Sequence, residues 1–128
     1  MKYIKPFFES KKKKTKHRSL EINGFQVYQG RDAETNEYVT FELASDNDYW
    51  FHAKGVPGSH VVLKVGDEEP DVDTIKEVAK LSAEKSKAKS GDVEVVYCRR
   101  KYVTKEPNSA MGKVVVDYSG SEYIKVIK

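Results

Sequence analysis

With 128 residues, 38% of them hydrophobic and 34% charged, the chain has the size and balance of one domain that buries its own core without disulfide or metal staples. No run approaches the roughly 18 apolar residues of a membrane span, the N-terminus has no apolar stretch of signal-peptide length, and the single Cys98 has no partner for an internal disulfide. A cytoplasmic protein with a buried, reduced thiol, away from membranes, is therefore expected.

The net charge of +3 hides an asymmetry: residues 1–18 carry eight Lys or Arg against Glu9 alone, while the remaining 110 carry 15 basic and 19 acidic side chains. That split predicts a basic, flexible leader over 1–18, suited to a local contact with a polyanion, and one folded unit over 19–128. Residues 20–28 read as a hairpin, with Asn23-Gly24 as a two-residue turn between alternating apolar positions. Over 33–43 two periods compete. Val39, Phe41 and Leu43 alternate as in a strand, while Glu34, Glu37, Tyr38, Phe41 and Glu42 suit a short helix after Asp32, and the helix is preferred.

Residues 47–63 hold the only tryptophan and two of the three histidines between two strand-like runs, Tyr49–Ala53 and 60–64. If these runs pair, 54–59 is a short loop with Trp50, His52, Lys54 and His60 beside it, an arrangement that suits a planar or anionic ligand. An acidic loop, 66–73, ends in helix-capping residues. From Thr74 to about Lys89, Ile75, Val78, Ala79, Ser82, Ala83 and Ser86 recur on one helical face, narrow enough to lie close to a sheet, with Lys76, Lys80, Lys85, Lys87 and Lys89 on the other side. Ser90-Gly91 ends that helix. Three strands follow, 93–102, 112–118 and Glu122–Ile127, with a loop over 103–111 that exposes Lys105 and a tight turn at Ser119-Gly120-Ser121. The sum is an α+β domain, a mostly antiparallel sheet packed against one long helix (about 74–89) with a second short helix (about 33–43).

Several of these residues, taken in order over about 19–127, resemble the NFACT-R domain. They are Gly30-Arg31 with Asn36 and Thr40-Phe41, Asp48-x-Trp50-Phe51-His52-Ala53, Pro57-Gly58-Ser59-His60-Val61, the helical Ala79, Ala83 and Ser86, Val93-x-Val95, and Lys105-x-Pro107 with Gly112-x-Val114. NFACT-R, formerly a domain of unknown function, is the RNA-binding module of the NFACT proteins of ribosome-associated quality control. The resemblance implies a module that binds structured RNA, tRNA or rRNA, on or near the ribosome, with no catalysis and no cofactor. At this length there is no room for the N-terminal NFACT domain or the coiled coil of the large members. The chain looks like a stand-alone version, so peptide-tail elongation is not carried over. Asp32-Ala33 departs from the Asn that usually follows Gly-Arg, and the acidic body departs from a broad basic face.

The residues expected to contact RNA are Arg31, Asn36, Trp50, His52, Lys54, Ser59, His60, Arg99, Lys101 and Lys105. Arg31 offers paired donors to phosphate oxygens, or pairs with Asp46 or Asp48 to fix the loop. Asn36 is a cap or a base or sugar contact. Trp50 is core or, if exposed among Asp48, His52 and Lys54, a stacking platform. Gly58-Ser59 leaves backbone N–H groups for a small anion nest with the serine hydroxyl. Arg99, Arg100 and Lys101 form the densest basic run outside the leader, Arg99 and Lys101 sharing one strand face, and Lys101 and Lys105 are expected phosphate contacts. His52 and His60 admit RNA hydrogen bonding, metal ligation or structural roles, but Cys98 and Asp48 are the only obvious extra ligands and no recognised spacing is present, so no metal is expected. As an acid–base pair they keep open the alternative of a small RNA-processing enzyme or a tRNA-modification accessory. A third reading is an adaptor whose acidic loop, 67–73, meets a basic ribosomal protein.

Overall fold

Asn23 and Gly24 adopt positive φ values, 52° and 87°, the left-handed pair that a tight two-residue hairpin turn requires. Strands β1 (Arg18–Ile22) and β2 (Phe25–Gln29) therefore pair antiparallel with Ile22 opposite Phe25, as the Asn-Gly signal predicts. The computed structural model describes residues 16–128. Residues 1–15 of the expected leader lie outside the described residues, and at its far end Arg18 already belongs to β1.

Helix α1 (Ala33–Tyr38) starts at Asp32, whose carboxylate accepts the Thr35 N–H at 2.8 Å, and runs straight into a π-helical turn, Val39–Leu43. The helical reading of 33–43 is the one observed. The turn buries Val39 and Thr40 side by side and leaves Phe41 and Leu43 packed, partly buried, against the same core. Strands β3 (Tyr49–Ala53), β4 (Val61–Leu63), β5 (Asp92–Arg99) and β8 (Glu122–Ile127) complete a six-stranded antiparallel sheet in the order β1-β2-β4-β3-β5-β8. Two short strands, β6 (Val103–Thr104) and β7 (Val115–Val116), form a separate ribbon.

Side-chain alternation in the sheet makes two cores. Val27, Phe51, Ala53, Val61, Leu63, Val93 and Val95 face helix α2 (Val72–Glu84), whose Ile75, Val78, Ala79 and Ala83 pack on them; the small residues allow the close approach expected of this face. Trp50, Val62, Val96 and the buried Cys98 face the opposite side, where Val39 of the π turn and Val103 of β6 cover them. The fold is thus a sheet with one long helix on one face and a short helix plus a ribbon on the other, the α+β architecture the sequence predicts. Among the described residues no helix is long and apolar enough to cross a membrane.

Three boundaries differ from expectation. Helix α2 begins at Val72, capped by Asp71, and stops at Glu84, because Lys85 to Lys87 leave it to pair with the 57–59 loop: the Lys87 N–H donates to the Pro57 carbonyl at 2.8 Å, and Ser86 folds its hydroxyl back onto the Ala83 carbonyl. Strand β5 stops at Arg99, since the Arg100 and Lys101 N–H groups turn to the Asp48 and Asp46 carbonyls at 2.7 and 3.0 Å and a 3-10 turn (Arg100–Tyr102) follows. In 112–118 only Val115–Val116 is strand, and it pairs with Val103–Thr104 and not with the main sheet; 3-10 turn Tyr118–Gly120 replaces the expected tight turn.

At Gly30 a β-carbon would sit 2.0 Å from Asn36 Oδ1 and 2.7 Å from its α-carbon. Gly30→Ala is expected to destabilise the fold by about 1–3 kcal/mol or more, since the helix start must move to relieve the overlap. Urea unfolding of the two proteins measures this, and an unshifted midpoint would show that the contact is not a constraint.

Candidate functional site

Asn36 organises the site. Its Oδ1 accepts the His60 N–H at 3.0 Å and its Nδ2 donates to the Gly58 carbonyl at 3.3 Å, so one amide splints the 54–60 loop to α1. The Gly30 N–H donates to the His60 carbonyl at 2.9 Å from the other side. Both ends of the Asn36 amide are therefore engaged within the protein, and the expected base or sugar contact gives way to a structural role. The anion nest is corrected in the same way: the Ser59 N–H donates to the Lys85 carbonyl at 3.3 Å, the His60 N–H goes to Asn36, and the Ser59 hydroxyl accepts from Gln29 at 3.4 Å. Gly58 is held against Ser86, where a β-carbon would lie 2.8 Å from the serine's.

Trp50 is 1% exposed, so it takes the core alternative and is no stacking platform. Its indole N–H donates to Thr40 Oγ1 at 3.1 Å, and the same hydroxyl bonds His60 Nδ1 at 3.0 Å. A hydroxyl both accepts and donates, which lets one buried oxygen satisfy two rings. His52 stacks on Trp50 at 5.8 Å between ring centroids and meets His60 edge-on at 5.2 Å. Burial, the neighbouring His52 and the charge of Lys105 push His60 down to about 3, against an opposing hydrogen bond that the ring donates to the Asn36 backbone. Burial also lowers His52, opposed by a hydrogen bond to the Gly58 backbone. Both rings are thus neutral near pH 7. Among the described residues no three His, Cys, Asp or Glu side chains come together as a metal site.

Above these rings lies a cleft of about 980 Å³ between the start of α1, the 54–60 loop, the residues that follow α2, and the 111–118 segment. Arg31, Lys54, Lys85, Lys87 and Lys113 line it, against one acid, Asp32, whose carboxylate already caps α1. Lys54 is 3.4 Å from Glu94 and lies over Tyr123. Arg31 is exposed and donates at 3.5 Å to the Lys16 carbonyl, not to Asp46 or Asp48. Among the described residues Arg31, Lys85, Lys87 and Lys113 form no salt bridge, though the Thr35 hydrogen bonds and, after them, the charge of Arg31 help to lower Asp32.

The remaining expected residues are placed elsewhere or tied down. Arg99 lies at the far end of β3, opposite Tyr49, on the α2 face, where it pairs with Glu69 at 2.8 Å and sits over the Tyr49 ring. Arg100 pairs with Asp46 at 2.6 Å. Lys101 is exposed but follows the strand's end, so it shares no strand face with Arg99 and does not reach the cleft. Lys105 donates to the carbonyls of Ala110 and Lys113 and pairs with Glu37 at 3.0 Å, stapling the 105–113 loop to α1. Lys85, Lys87, Lys113, Met111 and Tyr118 were not foreseen at the site. No signal in the sequence marked Lys85 and Lys87, because both fit the helical period; the bridge between Ser86 and Gly58 takes them out of it.

Comparison with known proteins identifies the family and the fold. Residues 13–118 match the family described as the NFACT protein RNA binding domain. The chain is 35% identical over 130 aligned positions to the Rqc2 homolog RqcH of Bacillus subtilis (strain 168), covering 96% of this chain and 22% of that protein. It is 40% identical over 67 positions to the archaeal Rqc2 homolog aRqcH of Methanocaldococcus jannaschii, covering 52% of this chain and 10% of that one. Among solved structures, the C-terminal part of the fibronectin/fibrinogen-binding protein from Streptococcus suis superposes with a TM-score of 0.79 at 30% identity, over 94% of this chain and 48% of that one. The chain thus spans only about a fifth, or less, of the length of these curated relatives.

His60 makes stability depend on pH. Below an unfolded pKa of about 6.5 the unfolded chain takes up a proton that the folded ring refuses until about pH 3, so stability is lost as pH falls through that window. Between pH 7 and pH 5 the His60 share of this loss is about 2 kcal/mol. Urea unfolding of native protein and His60→Gln at both pH values reads it as a difference within each protein, and an equal loss in the two would contradict it.

Proposed function

The chain belongs to the NFACT-R family of RNA-binding domains, and from that premise we propose that it binds tRNA or rRNA in a ribosome-associated setting, through the cationic cleft, as a binding module. The observation that carries the cleft's part is the segregation of charge. Residues 19–128 hold 15 basic and 19 acidic side chains, yet the cleft lining holds five bases and one acid. Several bases elsewhere meet acids, as in Arg99 with Glu69, Arg100 with Asp46 and Lys64 with the buried Asp48 at 2.6 Å, whereas in the cleft only Lys54 does. Unpaired cations gathered on an otherwise acidic body suit phosphate oxygens, which supply affinity without reading sequence.

The setting in quality control follows the Rqc2 homologs that the chain resembles. Binding without catalysis is the reading that the histidines support. A ring whose pKa is about 3 holds no proton to give near neutral pH, and His60 is 4% exposed and hydrogen-bonded into the core through Thr40.

Neutralising phosphates releases counterions, so affinity for bulk tRNA or an rRNA fragment falls linearly on a log–log plot against salt. Lys85→Glu/Lys87→Glu removes two cleft cations and is expected to reduce that slope by about 1.4–1.8 and weaken binding by roughly ten-fold or more. Lys76→Glu/Lys80→Glu, the same charge change on the exposed side of α2 and away from the cleft, is expected to do far less. Fluorescence anisotropy across a salt series separates the two pairs; equal losses would mean that net charge and not the cleft governs binding.

A further inference from the structure

We propose that the cleft receives a single unpaired nucleotide of the bound RNA, its base lowered against His52 and Val96 and its flanking phosphates held at the rim by Lys85, Lys87 and Lys113. This rests on the RNA-binding reading above and names the RNA element that enters the site.

Burial sorts the lining into two levels. Trp50, His60 and Val96 are 1%, 4% and 3% exposed and make the floor, with His52 half-buried above them. The lysines, Met111 and Tyr118 are exposed and make the rim. No floor side chain carries charge, because both imidazoles are neutral near pH 7. A small anion such as free phosphate or a carboxylate would find no cation at that depth, and its desolvation would go uncompensated. A nucleotide divides its chemistry in the same way as the cleft, a neutral planar ring at one end and an anionic backbone at the other.

Shape points to the same ligand. At about 980 Å³ the cleft lies near the top of the roughly 300–1,000 Å³ range of concave ligand sites. A duplex is convex and stiff, so it touches only the rim, whereas an unstacked nucleotide can leave its strand and enter. Polar recognition is available at depth: apart from its hydrogen bond to the Gly58 backbone, His52 makes only ring contacts, with Trp50 and His60, among the described residues, which leaves a ring nitrogen for a base edge. At the lip, Met111 and Tyr118 are each 58% exposed, large apolar groups held in solvent beside Lys113 where a base or sugar passes. The walls are already fixed, one by the Asn36 splint and the other by the Lys105–Glu37 staple and the Gly112 N–H bonded to Glu37 at 2.6 Å. A preformed cleft avoids most of the ordering cost of binding.

The test uses the full chain and two RNA hairpins with the same stem, one fully paired and one carrying a single bulged 2-aminopurine. The bulged hairpin is expected to bind roughly ten-fold or more tightly, with a change in the emission of the bulged base on binding. Tyr118→Ala, at an exposed position, and His52→Leu are each expected to bring the affinity ratio of the two hairpins toward one. Equal affinity for both hairpins with unchanged emission overturns the inference while leaving RNA binding intact. Failure to bind either hairpin overturns the reading beneath it. Binding of AMP, GMP, CMP or UMP as tightly as the bulged hairpin would assign the cleft to a free nucleotide and overturn its place in RNA recognition.

Discussion

Much of the site depends on one side-chain amide. Asn36 holds the His60 N–H and the Gly58 carbonyl, and it can do so only because Gly30 has no β-carbon where the amide lies. Each such bond contributes about 0.5–1.5 kcal/mol net, but losing the amide would strand two poorly solvated backbone groups at about 1–3 kcal/mol each. The cost of stranding them outweighs the gain from bonding them, because the other backbone bonds of the loop between β3 and β4 run to Gly30, to Glu94 and to the residues after α2, and the Asn36 amide is what meets these two groups. Gly58 then meets Ser86, the segment after α2 is drawn across, and Lys85 and Lys87 arrive beside the loop.

The two faces of the sheet divide the labour. Helix α2 covers one face with aliphatic and small residues, a core that needs nothing but packing. The other face is covered incompletely, by a short helix, a π turn and a two-residue ribbon, and the uncovered part is the cleft. The π turn matters because it sets Thr40 between Trp50 and His60, where one hydroxyl satisfies both rings. The tryptophan and the histidine are then fixed parts of the floor and not moving ligands. Their burial also explains why the imidazoles stay neutral, a condition that suits an uncharged ring and opposes an anion at that depth.

At the far end of β3, the 1%-exposed Asp48 accepts the Ser45 and Val65 N–H groups at 2.7 and 2.8 Å as well as the Lys64 ammonium. That carboxylate and its neighbours Asp46 and Glu69 draw in Lys64, Arg100 and Arg99, so both arginines of the densest basic run of the body are absorbed into ion pairs. Lysines that look ordinary in the sequence, at 85, 87 and 113, are the ones that reach the cleft without an acid beside them. Cation density along a chain is a poor guide to a phosphate site, because the acids that cancel it come from elsewhere in the fold.

What the chain determined by itself was whatever rests on local chemistry. Asn23-Gly24 dictates its hairpin, Asp32 and Asp71 cap their helices, the Ala and Ser face of α2 sets its burial, and the order of Gly30-Arg31, Asn36, Trp50-Phe51-His52 and Pro57-Gly58-Ser59-His60 marks the family. Where elements stop was decided by backbone partners distant in sequence: Pro57 and Ser59 end α2, and Asp46 and Asp48 end β5. Which residues face the cleft was decided there too, since a side chain's exposure and its ion-pair partner depend on what packs above it. Trp50 and Lys87 show the rule from opposite sides, one closed off by Thr40 and the π turn, the other released from a helix by a loop 30 residues earlier.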